Sequence, residues 1–153
     1  MDMERILADV RSFDGMSELA PVEGGPYPEI AWGDHFFYYA PDGDVPANTQ
    51  PFATIVTKDY PDDTSSRLGG DRWRVNIHVG KALFDELVEE RHADPVDFAE
   101  ADAFLPHPVY GSLSWIAVIT PGERTEARVR ELLQSAYRDA VARAERRAQH
   151  PST

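Results

Sequence analysis

Several residue classes that support common functions are absent or scarce in this 153-residue chain. It has no cysteine, which excludes disulfide bonds, thiol nucleophiles and thiolate zinc sites. It has 15 lysines and arginines but 27 aspartates and glutamates, which gives a net charge of −12. This deficit argues against duplex nucleic acid as a ligand, because phosphate contacts depend on clustered Lys and Arg. No apolar run is long enough to predict a membrane span, and the charged amino end MDMERILADVRSF does not resemble a secretory signal. We therefore expect a cytoplasmic protein without a membrane or nucleic-acid partner.

Alternating and continuous apolar runs predict strands in the middle of the chain. EIAW and HFFYYA, separated by Gly33-Asp34, are typical of a hairpin. Three more strands are predicted over FATIVTK, RWRVNIHVG and LSWIAVIT. The last of these is apolar on both faces, which predicts a central position in the sheet.

Helical spacing of apolar residues appears at both ends of the chain, over 3–13 and 129–144. The final helix begins either with a capping box at Thr120 and Glu123 or with a cap at Thr125. Another helix is predicted over 81–91, and a short helical turn capped by Asp94 within 94–108. This order predicts an α+β fold, in which an antiparallel sheet of about five strands is packed by the N- and C-terminal helices. Residues 1–147 should form a single domain, followed by a frayed tail over 148–153.

Several stretches carry a resemblance to known families. The chain has an amino helix ending in FDG, a hairpin IAWGDHFFYY, a strand RVNIHVG before a helix, and a loop HPVYG before a Trp-containing strand. This layout resembles the MmcQ/YjbR family, which implies a CyaY-like (frataxin-like) α+β fold without a catalytic motif. The stretches PEIAWGDHFFYYAPDG, ATIVTKDYPDD and PHPVYG are similar to a bacterial family of uncharacterised single-domain proteins. That second resemblance runs from about Met1 to Arg147.

The strand RWRVNIHVG carries the most specific candidate site. Its alternation places Arg74, Asn76 and His78 on the face opposite the apolar residues, which should line the core. A cation, an amide and an imidazole on one rigid strand offer fixed donors for a small polar or anionic ligand. The proline-restricted PHPVYG loop would add His107 and Tyr110 from the other side. The alternative is that Arg74 pairs with a nearby carboxylate and His78 bonds a backbone carbonyl.

Two other features of the sequence leave their interpretation open. In HFFYY, Phe36 and Tyr38 share one face of the strand and Phe37 and Tyr39 share the other. One pair must therefore meet a helix, a partner subunit or a ligand rather than the main core. The acidic segment DYPDD is typical of a solvated turn, with cation binding as its alternative.

The sequence gives little support for a catalytic motif or a metal-binding motif. The five histidines show no metal-ligand spacing, so a zinc site would have to assemble His35, His78 and His107 from separate strands and loops. No nucleophile elbow and no phosphate loop occurs. No metal, cofactor or catalytic residue is predicted.

The leading functional interpretation is a small-ligand or protein-binding module. The second is a metal-assisted or acid–base enzyme that uses His78 and His107. The third is a nucleic-acid binder by family analogy, which the net charge of −12 disfavours.

Overall fold

Three helices and six strands follow one another along the part of the chain that the structure describes. This structure is a computed structural model, and it describes residues 3–45, 49–89 and 96–149. The helices are α1 (Met3–Arg11), α2 (Lys81–Glu89) and α3 (Glu126–Gln149). The strands are β1 (Met16–Leu19), β2 (His35–Tyr39), β3 (Ala53–Val56), β4 (Arg74–His78), β5 (Leu105–Pro106) and β6 (Trp115–Ile119). Short 3-10 turns cover Glu29–Ala31 and Gly111–Leu113.

All six strands join one antiparallel sheet in the order β1-β2-β3-β4-β6-β5. The α+β class and the antiparallel sheet are therefore confirmed, with six strands instead of about five. β6 lies between β4 and β5, and every one of its residues is buried, as its apolar composition predicted.

The terminal helices pack on one face of this sheet. Their buried residues form a single apolar cluster with the alternate residues of β2, β3, β4 and β6 that point toward them. In β4 these inward residues are Val75 and Ile77, both 0% exposed. The intervening Arg74 and Asn76 point to the opposite face, as the period of two predicts, whereas His78, predicted on that same face, lines a cavity beside α3.

The predicted hairpin is wrong in its first arm. Residues 29–31 form a 3-10 turn, and the strands that pair with β2 are β3 and β1, the latter over Met16–Leu19. The prolines before the turn remove backbone donors, and Gly33 adopts a positive φ of 87° that ends it. β1 escaped prediction because four half-buried residues, MSEL, show no apolar alternation.

The short strand β5 was also not predicted. Leu105 and Pro106 pair with Ala117 and Ile116 at the edge of the sheet, within the segment assigned to a helical turn. An edge position tolerates a proline, which has no N–H to donate to a ladder. The proposed cap at Asp94 lies outside the described residues.

The start of α3 depends on a carboxylate from a distant loop. The helix begins at Glu126, directly after Thr125, which decides between the two predicted starts. The Asp102 carboxylate accepts hydrogen bonds from the backbone N–H groups of Gly122, Arg124 and Thr125, and from the Thr125 hydroxyl at 2.6 Å. α3 continues through Gln149, and residues 150–153 lie outside the described residues.

Candidate ligand-binding site

A cavity of about 470 Å³ opens on the face of the sheet that the terminal helices leave uncovered. We call it the sheet cavity. Strands β2, β3 and β4 supply its base, and the loops 60–63 and 107–110 supply two of its sides. Its lining includes Phe36, Tyr38, Pro51, Thr54, Val56, Tyr60, Asp62, Asp63, Arg74, Asn76, His107, Val109, Tyr110 and Trp115.

Aromatic and aliphatic side chains form most of the wall. The alternation in β2 sends Phe37 into the core, where it is 0% exposed, and turns Phe36 and Tyr38 toward the sheet cavity. Tyr39, on the core side, meets Tyr137 of α3 edge-on, with ring centroids 5.9 Å apart. The aromatic pair that does not meet the main core therefore faces a concave space.

The floor of the sheet cavity is a buried arginine with nearly all its donors occupied. Arg74 is 2% exposed. Its Nε donates to Asn76 Oδ1 at 2.8 Å, and both terminal nitrogens donate to the Asp63 carboxylate at 3.1 and 2.5 Å. Nη1 also donates to Ser66 Oγ at 2.8 Å. Four of the five N–H groups of a guanidinium are thus used, and the fifth, on Nη2, faces the ring of His107.

The acidic loop between β3 and β4 is more than a solvated turn. Asp63 is 9% exposed and holds Arg74, while Asp59 accepts the backbone N–H of Leu68 at 2.9 Å. Asp62, the neighbour of Asp63, is exposed, as expected of this segment. Its side chain also lines the sheet cavity. The solvated-turn interpretation is therefore wrong for Asp63, because a buried guanidinium requires a counter-charge.

The other wall is fixed by a second buried carboxylate. Asp34 is 0% exposed and accepts hydrogen bonds from the backbone and hydroxyl of Thr57, from Lys58 Nζ and from the Tyr60 hydroxyl. Burial, together with the hydrogen bond to Asp34, raises the pKa of Tyr60. Tyr60 therefore remains a protonated donor, and its ring is held in place against the cavity.

The groups around His107 determine which of its two ring nitrogens carries the proton. Its Nδ1 accepts the backbone N–H groups of Val109 and Tyr110, both at 3.0 Å. Burial, and then the charge of Arg74, lowers the pKa of His107 to about 4, against an opposing effect of Asp63. The neutral ring must therefore carry its proton on Nε2, because Nδ1 is used as an acceptor.

Two donors consequently point at each other on the cavity floor. His107 Nε2 lies 3.3 Å from Arg74 Nη2, and we infer that Nε2 carries the ring proton because Nδ1 accepts two backbone N–H groups. Two N–H groups cannot bond each other, but an acceptor atom placed beside both would satisfy the pair. The floor is thus arranged to receive an oxygen or nitrogen lone pair.

Four of the five predicted site residues line the sheet cavity together: Arg74, Asn76, His107 and Tyr110. The alternative interpretation of Arg74 is also correct, since it pairs with Asp63 while facing the cavity. His78 does not join them. It stands opposite Trp115 in the β4–β6 ladder, with ring centroids 5.6 Å apart, and it does not line the sheet cavity.

His78 instead lines a second cavity of about 420 Å³, which we call the α3 cavity. Its lining includes Tyr39, Thr49, Gln50, Pro51, Phe52, His78, Trp115, Ala140, Arg143 and Arg147. Burial, and then the nearby Arg143, lowers the pKa of His78, while Asp139 and a hydrogen bond with the Leu113 backbone oppose the shift. The two histidines of the acid–base interpretation therefore lie in different cavities.

Sequence reasoning missed the loop residues that complete the floor. Asp63 and Ser66 lie 11 and 8 positions before Arg74, and no local pattern links them to it. The aromatic pair Phe36 and Tyr38 did carry a signal, since their alternation required a partner outside the core.

The histidines do not assemble a metal site in the described part of the chain. Over residues 3–45, 49–89 and 96–149, no three His, Cys, Asp or Glu side chains converge in a way that could hold a metal ion. His35 lies elsewhere and bonds Glu18 Oε2 through Nδ1 at 2.7 Å. His92 and His150 lie outside the described residues.

Comparison with known proteins places the whole of this fold in one family. The family model described as a family of unknown function (DUF6194) matches residues 1–149. The chain belongs to this family. The expected resemblance to an uncharacterised family is thus confirmed, over nearly the full chain. A search of curated proteins found no match to it. None of the helices in the described residues is long and apolar enough to cross a membrane.

Proposed function

We propose that this DUF6194 chain binds a small molecule in the sheet cavity, with a neutral hydrogen-bond acceptor on the floor and a flat apolar body against the walls. The observation that carries the proposal is the convergence of two N–H donors, from Arg74 Nη2 and His107 Nε2. A hydrogen bond to a buried donor contributes about 0.5–1.5 kcal/mol net, so an acceptor supplied by a ligand would strengthen binding by about that amount.

The charge around the floor favours a neutral acceptor over an anion. Arg74 is already balanced by Asp63, and Asp62 adds a further carboxylate to the lining. With two carboxylates and one guanidinium, the sheet cavity repels an anionic group. A carbonyl, amide or ring nitrogen meets both donors without that repulsion.

The walls favour a planar apolar body. Phe36, Tyr38, Val56 and Trp115 present carbon surface around the polar floor, which is the usual composition of a small-molecule site. A cavity of about 470 Å³ is within the range that such sites occupy, about 300–1,000 Å³. Aromatic walls also bind flat rings through stacked or edge-on contacts.

Other sequence-based interpretations receive less support from this geometry. The acid–base enzyme would need His78 and His107 at one site, whereas they line different cavities. The MmcQ/YjbR-type layout and the cytoplasmic location remain predictions.

The proposal is tested with indole-3-carboxamide, a flat ring that carries a neutral acceptor, and with 3-methylindole, which lacks the acceptor. In an NMR titration, indole-3-carboxamide should shift the backbone amides of Val56 and Tyr110 and the Trp115 indole, and should bind more tightly than 3-methylindole. His107→Asn keeps an acceptor for the Val109 and Tyr110 N–H groups but removes the Nε2 donor. It should weaken the carboxamide about tenfold, the loss of one hydrogen bond.

His35→Asn provides the matched control, because His35 lines neither cavity and should leave the titration unchanged. Absence of carboxamide binding to the wild-type protein at millimolar concentration would refute the proposed function. Equal affinities of wild type and His107→Asn for the carboxamide would show that the donor pair does not contribute to binding and would refute the neutral-acceptor assignment.

A further inference from the structure

The α3 cavity collects positive charge in a chain that has little of it. Arg143 and Arg147, one helical turn apart on α3, both line it, and His78 stands on the opposite side at the end of β4. The chain as a whole carries −12. Two guanidinium groups beside one concave space therefore form a local exception to the acidic surface.

The arginines of this cavity repel each other in the absence of an anion. Burial lowers the pKa of Arg143, Asp139 opposes this shift, and the neighbouring charges of Arg147 and Arg146 lower the pKa further. Both guanidinium groups remain charged at neutral pH, because an arginine stays protonated in proteins. An oxyanion between Arg143 and Arg147 would relieve that repulsion and accept their N–H groups.

The two cavities adjoin each other. Gln50, Pro51 and Trp115 line both of them, so the indole of Trp115 forms a shared wall. They differ in charge, since the sheet cavity has two carboxylates and one guanidinium whereas the α3 cavity has two guanidinium groups. A molecule that is neutral at one end and anionic at the other fits this division.

We propose that the α3 cavity binds the phosphate group of the ligand, through Arg143 and Arg147, while its neutral ring-bearing body occupies the sheet cavity. The assignment of the body rests on the function proposed above. A phosphate matches the site better than a carboxylate, because its two negative charges balance two guanidinium groups and its oxygens accept from both. The ligand is thus a phosphorylated molecule with a flat, uncharged body.

The first experiment titrates the 153-residue chain with inorganic phosphate and separately with acetate, followed by NMR at the amides of His78 and Arg143. Phosphate should shift both amides and bind at least tenfold more tightly than acetate. The variant Arg143→Gln/Arg147→Gln should weaken phosphate at least tenfold. Equal affinities for phosphate and acetate, or no shift with phosphate, would overturn the assignment of the anion site.

A charge-matched variant separates a specific site from the general effect of removing two positive charges. Arg124→Gln/Arg138→Gln removes two arginines whose side chains are exposed and line neither cavity. It should bind phosphate like the wild type. An equal loss in both double variants would show that only net charge matters and would overturn the site.

The second experiment tests whether one molecule spans both cavities. Naphthyl phosphate should bind at least tenfold more tightly than inorganic phosphate, because joining two binding groups makes the second contact intramolecular. Equal affinities would overturn the spanning arrangement. In the same samples, indole-3-carboxamide should bind Arg143→Gln/Arg147→Gln as it binds wild type. Phosphate binding without carboxamide binding would refute the proposed function alone, and the reverse result would refute the phosphate site alone.

Discussion

The two nitrogen atoms of His107 perform different tasks in the sheet cavity. Nδ1 holds the 107–110 turn by accepting two backbone N–H groups, and Nε2 turns its proton toward Arg74. Protonation of Nδ1 would break the turn bonds and place a second positive charge against the guanidinium. Burial, and then the charge of Arg74, lowers the pKa of His107 to about 4 from its ordinary 6.5.

This lowered pKa makes the folded protein sensitive to acid. Between pH 6.5 and about 4 the unfolded chain binds a proton at residue 107 that the folded chain does not. The free energy of unfolding therefore falls as the pH decreases through this window, by a contribution of about 3 kcal/mol. Above pH 6.5 the contribution is fully present. Urea denaturation at several pH values should show the slope in wild type and a clearly smaller one in His107→Asn.

His78, whose pKa is also lowered, is present in both proteins and forms a common background. An identical slope in wild type and His107→Asn would contradict the prediction. Direct NMR titration of the His107 ring gives a second measurement, independent of how the variant folds. A ring that titrates near its ordinary pKa in the folded protein would equally rule the prediction out.

At the scale of elements, the loop 96–104 and helix α3 are joined through Asp102. Burial disfavours ionisation of this carboxyl, but the hydrogen bonds from Thr125, Gly122 and Arg124 outweigh it and lower its pKa. Asp102 adopts a positive φ of 53°, a conformation that Asn and Asp tolerate better than other side chains. One side chain thus accepts three backbone N–H groups in the turn that leads into the longest described helix.

Asp102→Ala should destabilise the protein by about 1–3 kcal/mol, because the helix start loses its acceptor and alanine is strained at a positive φ. Asp102→Asn should cost less, since the amide oxygen still accepts a hydrogen bond and the backbone conformation is tolerated. Both values are measured by urea denaturation at neutral pH. Asp97→Ala is the charge-matched control, because Asp97 accepts the Ala99 N–H within its own exposed turn. A loss in Asp102→Ala no larger than in Asp97→Ala would contradict the linking role.

At the scale of the whole molecule, the balance of charge limits the partners. Residues 123–147 contain seven arginines and five acids, so the rest of the chain carries an even stronger negative charge than the total of −12. An ion pair reduces the positive field of this helix further, since Arg130 bonds Asp9 of α1. The two arginines of the α3 cavity form a small site that suits one phosphate, not a duplex.

Short duplex DNA should therefore show no binding up to about 100 µM protein at physiological salt, in a fluorescence anisotropy titration. The physical reason is that DNA binding gains from the release of counterions only where clustered cations contact the phosphates, and a net charge of −12 opposes such contacts. Micromolar affinity that falls steeply with added salt would prove this expectation wrong. Arg143→Gln/Arg147→Gln would then identify whether the α3 cavity is responsible.

The fold class and the shared face of Arg74 and Asn76 were predictable, because both depend on patterns of apolar residues that repeat within a few positions. Alternation in RWRVNIHVG placed Val75 and Ile77 against the helices and Arg74 and Asn76 opposite them, as the structure has them. The short edge strands β1 and β5 were not predictable, because their residues alternate too little to show a period. Their pairing depends on the neighbours that cover them, which are remote in sequence.

The sequence by itself thus determined which side chains of each long element share a face, since the backbone geometry of a strand or helix imposes that pattern locally. Only the tertiary structure decided that the loops 60–63 and 107–110 turn the face of the sheet that the terminal helices leave uncovered into a cavity. It also decided that Asp63 and His107 meet Arg74, and that His78 lies beside Trp115 in a different cavity. Arg74 and His107 lie 33 positions apart, so such contacts arise from the packing of loops onto the sheet and not from any local pattern.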